Sequence, residues 1–212
     1  VNMLPERCIN GRGLVISQHH FGWIPLDTKT KSKTMVNADF TIAETGALKG
    51  EIAFIREGYD ANRMRSAYNS KGEQTYVKDF DGSKNWKIDR LHFANIWKIT
   101  EPAKETYQVE IEDHASVAGD NIYISPFVTS QIETNPYKSE SRIYPVDYGT
   151  QIEKTYVCRI KAPAGYVLDE KPESAILVLP GNAARYIYNV AATPGGDWIS
   201  ITSKFQINRN IF

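Results

Sequence analysis

The chain has 212 residues, in which 25 Lys and Arg balance 25 Asp and Glu, with 42% hydrophobic and 11% aromatic content. That is the composition of a folded chain long enough to bury its own core. Zero formal charge, with no basic cluster beyond the three lysines of 29–33, lacks the electrostatic footprint of a nucleic-acid binder. No apolar run approaches the ~20 residues of a membrane helix; the best is the strand-sized Ala175–Leu179.

The first residues carry no initiator Met and run through a tight turn at Asn10-Gly11 into Leu14-Val15-Ile16. They read as the last hairpin of a domain whose main body lies upstream. A Lys- and Thr-rich stretch, Thr28 to Thr34, then marks a boundary. Residues 1–34 are assigned to the stub and 35–212 to a β-rich body.

Within that body, alternation of apolar and polar residues is the strand signal. Val36, Ala38, Phe40 and Ile42 share one face. Leu48 to Ile55 follows a turn at Gly46 as an antiparallel partner. The segment 59–81 breaks the alternation: Ala61, Met64, Tyr68, Tyr76 and Phe80 fall at helical spacing, and Gly72 separates two short helices. Gly82-Ser83-Lys84-Asn85 reads as a loop before Trp86-Lys87-Ile88 restarts the extended pattern. Tyr107, Val109 and Ile111 then face one way and Gln108, Glu110 and Glu112 the other. The pattern recurs through Ile152–Ala162, Tyr186–Val190 and Ile199–Ile207. Short connections such as Pro163-Ala164-Gly165, Pro180-Gly181-Asn182 and Pro194-Gly195-Gly196-Asp197 favour antiparallel neighbours. The expected fold is mainly β, an antiparallel β-sandwich with a short helical insertion.

Chemistry is sparse. Cys8 and Cys158 can be bridged or separate, and separate thiols are favoured because Cys158 lies on an apolar strand face. Cys8 precedes a turn and a strand, without the helix N-terminus that lowers a thiol pKa. His19 and His20 are adjacent, so on a strand they point to opposite faces. Glu112-Asp113-His114, with Asp120 beyond, offers oxygen and nitrogen ligands but reads better as a polar turn. Asp147, in Tyr144-Pro145-Val146-Asp147-Tyr148-Gly149, is a candidate ligand contact or a turn-closing carboxylate. Trp86 and Trp97 lead the candidates for a sugar-stacking platform, against a core role usual for Trp in sandwiches. No nucleotide-binding, CxxC, HExxH or G-x-S-x-G motif is present, and no cofactor or metal is called for.

Several dispersed segments carry a family resemblance. LPERCINGRGLVIS, followed by the Trp23-Ile24-Pro25-Leu26 strand, resembles the end of a bacterial transglutaminase-like core. YDANRMR, EQTYVKDF, GDNIYISPF, RIYPVDYG, EKTYVCRIKAPAGY and LPGNAARY resemble the uncharacterised β-rich domain of unknown function that follows that core. The resemblance implies that the Cys, His and Asp of the core lie upstream, so none is carried onto this chain. Cys8 does not match the nucleophile's surroundings, which place that Cys at the start of a helix. It also implies further chain beyond Phe212, and export to the periplasm or cell surface.

Three functions compete at this level. The leading expectation is a non-catalytic accessory domain, partnered by the upstream core, with an envelope protein or glycan as a further partner. The second is a carbohydrate- or peptide-binding module. The third is a cysteine hydrolase using Cys8 with His19 or His20. A hairpin exposing Leu14, Ile16 and Trp23 would also permit dimerisation.

Overall fold

The computed structural model describes residues 3–9, 11–82, 86–129, 134–135, 137–139, 141 and 143–212. The Asn10 half of the expected first turn, and Ser83–Asn85 of the expected loop, lie outside the described residues. Strands β1 (Gly11–Ile16) and β2 (Phe21–Leu26) form a hairpin, and β3 (Ser32–Ile42) and β4 (Leu48–Glu57) form a second. Helices α1 (Gly58–Lys71) and α2 (Glu73–Gly82) follow. Then come β5 (Lys87–Ala94), β6 (Ala103–Ile111), and the short pair β7 (Ala115–Ala118) and β8 (Asn121–Ile124). The chain ends through β9 (Ile152–Lys161), β10 (Ala175–Val178), β11 (Ala184–Ala192) and β12 (Trp198–Ile207).

The protein is mainly β with a helical insertion. Eight strands form one sheet in the order β10-β11-β12-β9-β3-β4-β6-β5, while β1-β2 and β7-β8 are separate two-stranded ribbons. Neighbours joined by short turns are antiparallel, as expected from the Gly and Pro punctuation. The central pair β3–β9 is parallel, so the sheet is mixed. Short-connection reasoning reaches only strands adjacent in sequence. β9 arrives after a long excursion from β8, and such a crossover lets it run alongside β3.

One face of the sheet carries the core. Register aligns Val36 with Tyr156 and Phe54, Ala38 with Cys158 and Ile52, and Ile52 with Tyr107. All of these are buried. Phe80 from α2, the β7–β8 ribbon and Phe127 pack over this cluster as a smaller second layer. Phe80 stacks on Tyr107, ring centroids 4.6 Å apart, and meets Phe54 and Trp86 edge-on. Such ring pairs add about 1 kcal/mol each beyond the area they bury, so Phe80 is the anchor of α2.

The helices break where the sequence predicts. Gly72, at φ +75°, ends α1, and its N–H donates to the Tyr68 carbonyl. Ala61 and Met64 of α1 pack with Ile96 and Ala103 in a second small core.

Candidate functional site

Burial sorts the tryptophans. Trp86 is 5% exposed and belongs to the core beside Phe80, so it is removed from the proposed surface platform. Its place just before β5, under the helical cap, explains this. Trp97 is 75% exposed. It sits in the loop between β5 and β6, next to Ile96, which is buried. Arg65 of α1 holds that loop. Its guanidinium donates to the carbonyls of Ile96, Asn95, Lys98 and Glu101 at 2.7–3.0 Å. A buried cation needs such partners, and here it satisfies several loop carbonyls at once. Asn95, at φ +59°, donates from Nδ2 to the Pro102 carbonyl across the loop. Trp97 is thus displayed from a fastened base.

A hollow of about 390 Å³ lies beside Trp97, lined by Tyr68, Glu73, Leu91, His92, Phe93 and Asn95 among others. Tyr68 Oη donates to Glu73 at 2.6 Å, a bond that raises the Tyr68 pKa. Tyr68, Tyr76 and Phe93 meet edge-on behind it.

A second hollow, of about 640 Å³, shares Leu91 and His92 with the first. It lies on the face of the sheet opposite the core. Cross-strand register puts Arg90, Gln108 and Glu51 in one row, and His92 and Thr106 in the next, ending on Ala53. Gln108 Nε2 donates to Glu51 at 2.8 Å. A bulge between Ile88 and Arg90 adds Asp89 to the wall. Bulges re-aim side chains where a strand bends. This one also has a sequence signal: Ile88, Leu91 and Phe93 face the core although their spacing is three and then two. Strict alternation, applied alone, misses it.

The other candidates do not converge. Asp147 Oδ1 accepts from the Gly149 N–H at 2.7 Å, and residue 147 bridges to Ile211; the carboxylate closes a turn. His114 bonds the Ser125 carbonyl at 2.9 Å in the turn after β6. Cys8 and Cys158 are both unbridged, and burial pushes the Cys158 thiol up to about 11. His19 and His20 are not on a strand: they occupy the β1–β2 turn, where Ser17 Oγ bonds both the N–H and the carbonyl of His20. Cys8 precedes the other end of β1. Six residues at ~3.3 Å rise separate these ends by roughly 20 Å, so the Cys–His pair of the third alternative does not assemble there. Among the described residues no three His, Cys, Asp or Glu side chains gather as metal ligands.

Inside the sheet lies a charged network that sequence reasoning passed over. Glu105 is fully buried and forms an ion pair with Arg56. Tyr76 and Tyr107 hydroxyls donate to the same carboxylate at 3.0 and 2.8 Å. Burial lowers the Arg56 pKa and raises those of Tyr76 and Tyr107. Arg56 also lies 5.1 Å from the Phe54 ring centroid. The network ties α2 to β4 and β6. Fully satisfied and closed over, it is structural.

One cluster of exposed apolar side chains lies on the β1–β2 ribbon, and another runs along Ile176–Leu179 at the edge strand β10. Ile16 is 77%, Phe21 80% and Trp23 66% exposed, with Leu14 and Ile24 also exposed. Among the described residues the ribbon's strands pair only with each other. By contrast the preceding residues are fastened: Tyr59 Oη donates to the Leu4 carbonyl at 2.9 Å, and Arg63 pairs with Glu6.

Residues 120–212 match the family model DUF3858, a domain of unknown function with solved structure. The match spans β8 through β12 and does not itself connect the chain with transglutaminase-like proteins. No curated protein and no solved structure matches the chain.

Proposed function

We propose that this chain is a non-catalytic accessory interaction domain of an exported bacterial transglutaminase-like protein. The observation that carries the reading is the β1–β2 ribbon, whose apolar side chains stand in solvent. A contiguous apolar patch of this kind marks a surface that another protein covers. The resemblance of LPERCINGRGLVIS and the Trp23–Leu26 strand to the end of a transglutaminase-like core makes that core, in the same polypeptide, the covering partner. Catalysis then belongs to the core's residues and to none on this chain, and the compartment is the periplasm or cell surface. Among the described residues no helix is long and apolar enough to cross a membrane.

The test replaces Ile16, Phe21 and Trp23 together by Ser in the full-length polypeptide. Loss of solubility or turnover, with protease cleavage between core and domain, is expected. Unchanged stability and turnover would refute the reading. In the isolated chain the same replacement should abolish any concentration-dependent self-association measured by sedimentation.

A further inference from the structure

We infer that the two adjoining hollows along β5 form one trough that binds a neutral polysaccharide chain, with Trp97 as its stacking platform. This surface is separate from the β1–β2 ribbon and does not depend on the function assigned to it.

Three observations carry the inference. The first is Trp97 itself, three-quarters exposed yet mounted on a loop whose carbonyls are gathered by the buried Arg65. An indole held in place loses little conformational freedom when a flat ligand settles on it. The second is adjacency: the hollows share Leu91 and His92 of the edge strand β5, so a ligand stacked on Trp97 reaches the row of Arg90, Gln108 and Glu51 by crossing the sheet edge at His92. From Asp89 to His92 the strand rise alone supplies roughly 10 Å, room for more than one sugar ring beyond the indole. The third is the polar lining. The side chains of Asp89, Arg90 and His92 make no hydrogen bond or ion pair with other described residues. Carboxylate, guanidinium and imidazole groups side by side suit the alternating donors and acceptors of sugar hydroxyls.

Charge chooses among ligands. Glu51, Asp89 and Glu73 face the trough, against Arg90. The acid excess repels nucleic acids and sulfated or uronic-acid chains. Glu73, His92 and Asn95 line the hollow beside Trp97 together with Leu91 and Phe93, so sugar hydroxyls meet polar partners next to the indole.

The experiment titrates the purified chain with neutral gluco-, manno-, galacto- and chito-oligosaccharides, following the Trp97 indole N–H by NMR and affinity by calorimetry. At least one series should bind, with affinity rising with chain length. Trp97→Ala should weaken binding tenfold or more while the remaining spectrum is unchanged. Asp89→Ala, remote from the loop, should weaken it several-fold. Arg65→Met should weaken it too and broaden the loop resonances, as expected of a positioning residue. The inference is overturned if no neutral oligosaccharide shifts the indole resonance at millimolar concentration, if Trp97→Ala binds equally well, or if a peptide library binds the trough and no sugar does.

Discussion

Arg56→Met is the sharpest probe of how this fold tolerates a charge in its interior. The Glu105 carboxylate is fully buried, and Arg56 is its counter-ion. Removing one member of a buried pair costs about 3–5 kcal/mol, because the other charge stays desolvated. Tyr76 and Tyr107 remain as donors and offset part of this. The alternative for the variant is to fold with the carboxyl protonated. Taking that proton costs about 1.4 kcal/mol for each pH unit above the ordinary glutamate value of roughly 4.3. The penalty through this route is therefore capped near 3.7 kcal/mol at pH 7 and near 1 kcal/mol at pH 5. The sign follows: the native variant holds a proton that the unfolded chain releases, so its stability falls as pH rises from about 4.3. Urea unfolding at both pH values, monitored by circular dichroism, measures the difference against the parent chain. A loss below about 1 kcal/mol at pH 7, or an equal loss at both pH values, would refute the reasoning. The double replacement Arg56→Met with Glu105→Leu should recover most of the loss, since no charge is then stranded.

Two further outcomes test the packing. Burial raises the pKa of Tyr107, Tyr156 and Cys158, the last to about 11. Above about pH 9 the unfolded chain sheds protons that the native state keeps, so stability should fall by up to about 1.4 kcal/mol per pH unit for each group once it titrates in the unfolded chain. Denaturant midpoints constant from pH 8 to 10.5 would contradict that burial. Gly58 opens α1 at φ +57°, and a Cβ there would stand 2.0 Å from the Lys31 carbonyl oxygen. Gly58→Ala should therefore cost about 2–3 kcal/mol, and a melting temperature within 2 °C of the parent's, a loss of no more than about 1 kcal/mol, would show that the junction yields.

Much of the candidate site could not be read from the chain. Trp97 was visible as a residue to test, but Trp86 has the same identity and an opposite fate. What separates them is tertiary: α2 folds over one and the Arg65 clamp presents the other. The row of Arg90, Gln108 and Glu51 joins residues far apart in sequence through strand order. Glu105 was not singled out in the sequence, and only the facing Arg56 makes sense of a carboxylate buried on that face.

By itself the sequence determined the local structure. Period-two alternation placed the strands of the body, helical spacing placed α1 and α2, and Gly72 separated them. These are short-range effects, set by backbone geometry and by which residues prefer water. The tertiary structure decided the order of strands, the parallel β3–β9 pair, the turn that removes His19 and His20 from Cys8, and the trough beside Trp97. Each depends on segments distant in the chain meeting. That meeting is governed by how whole faces pack, a property no local pattern encodes.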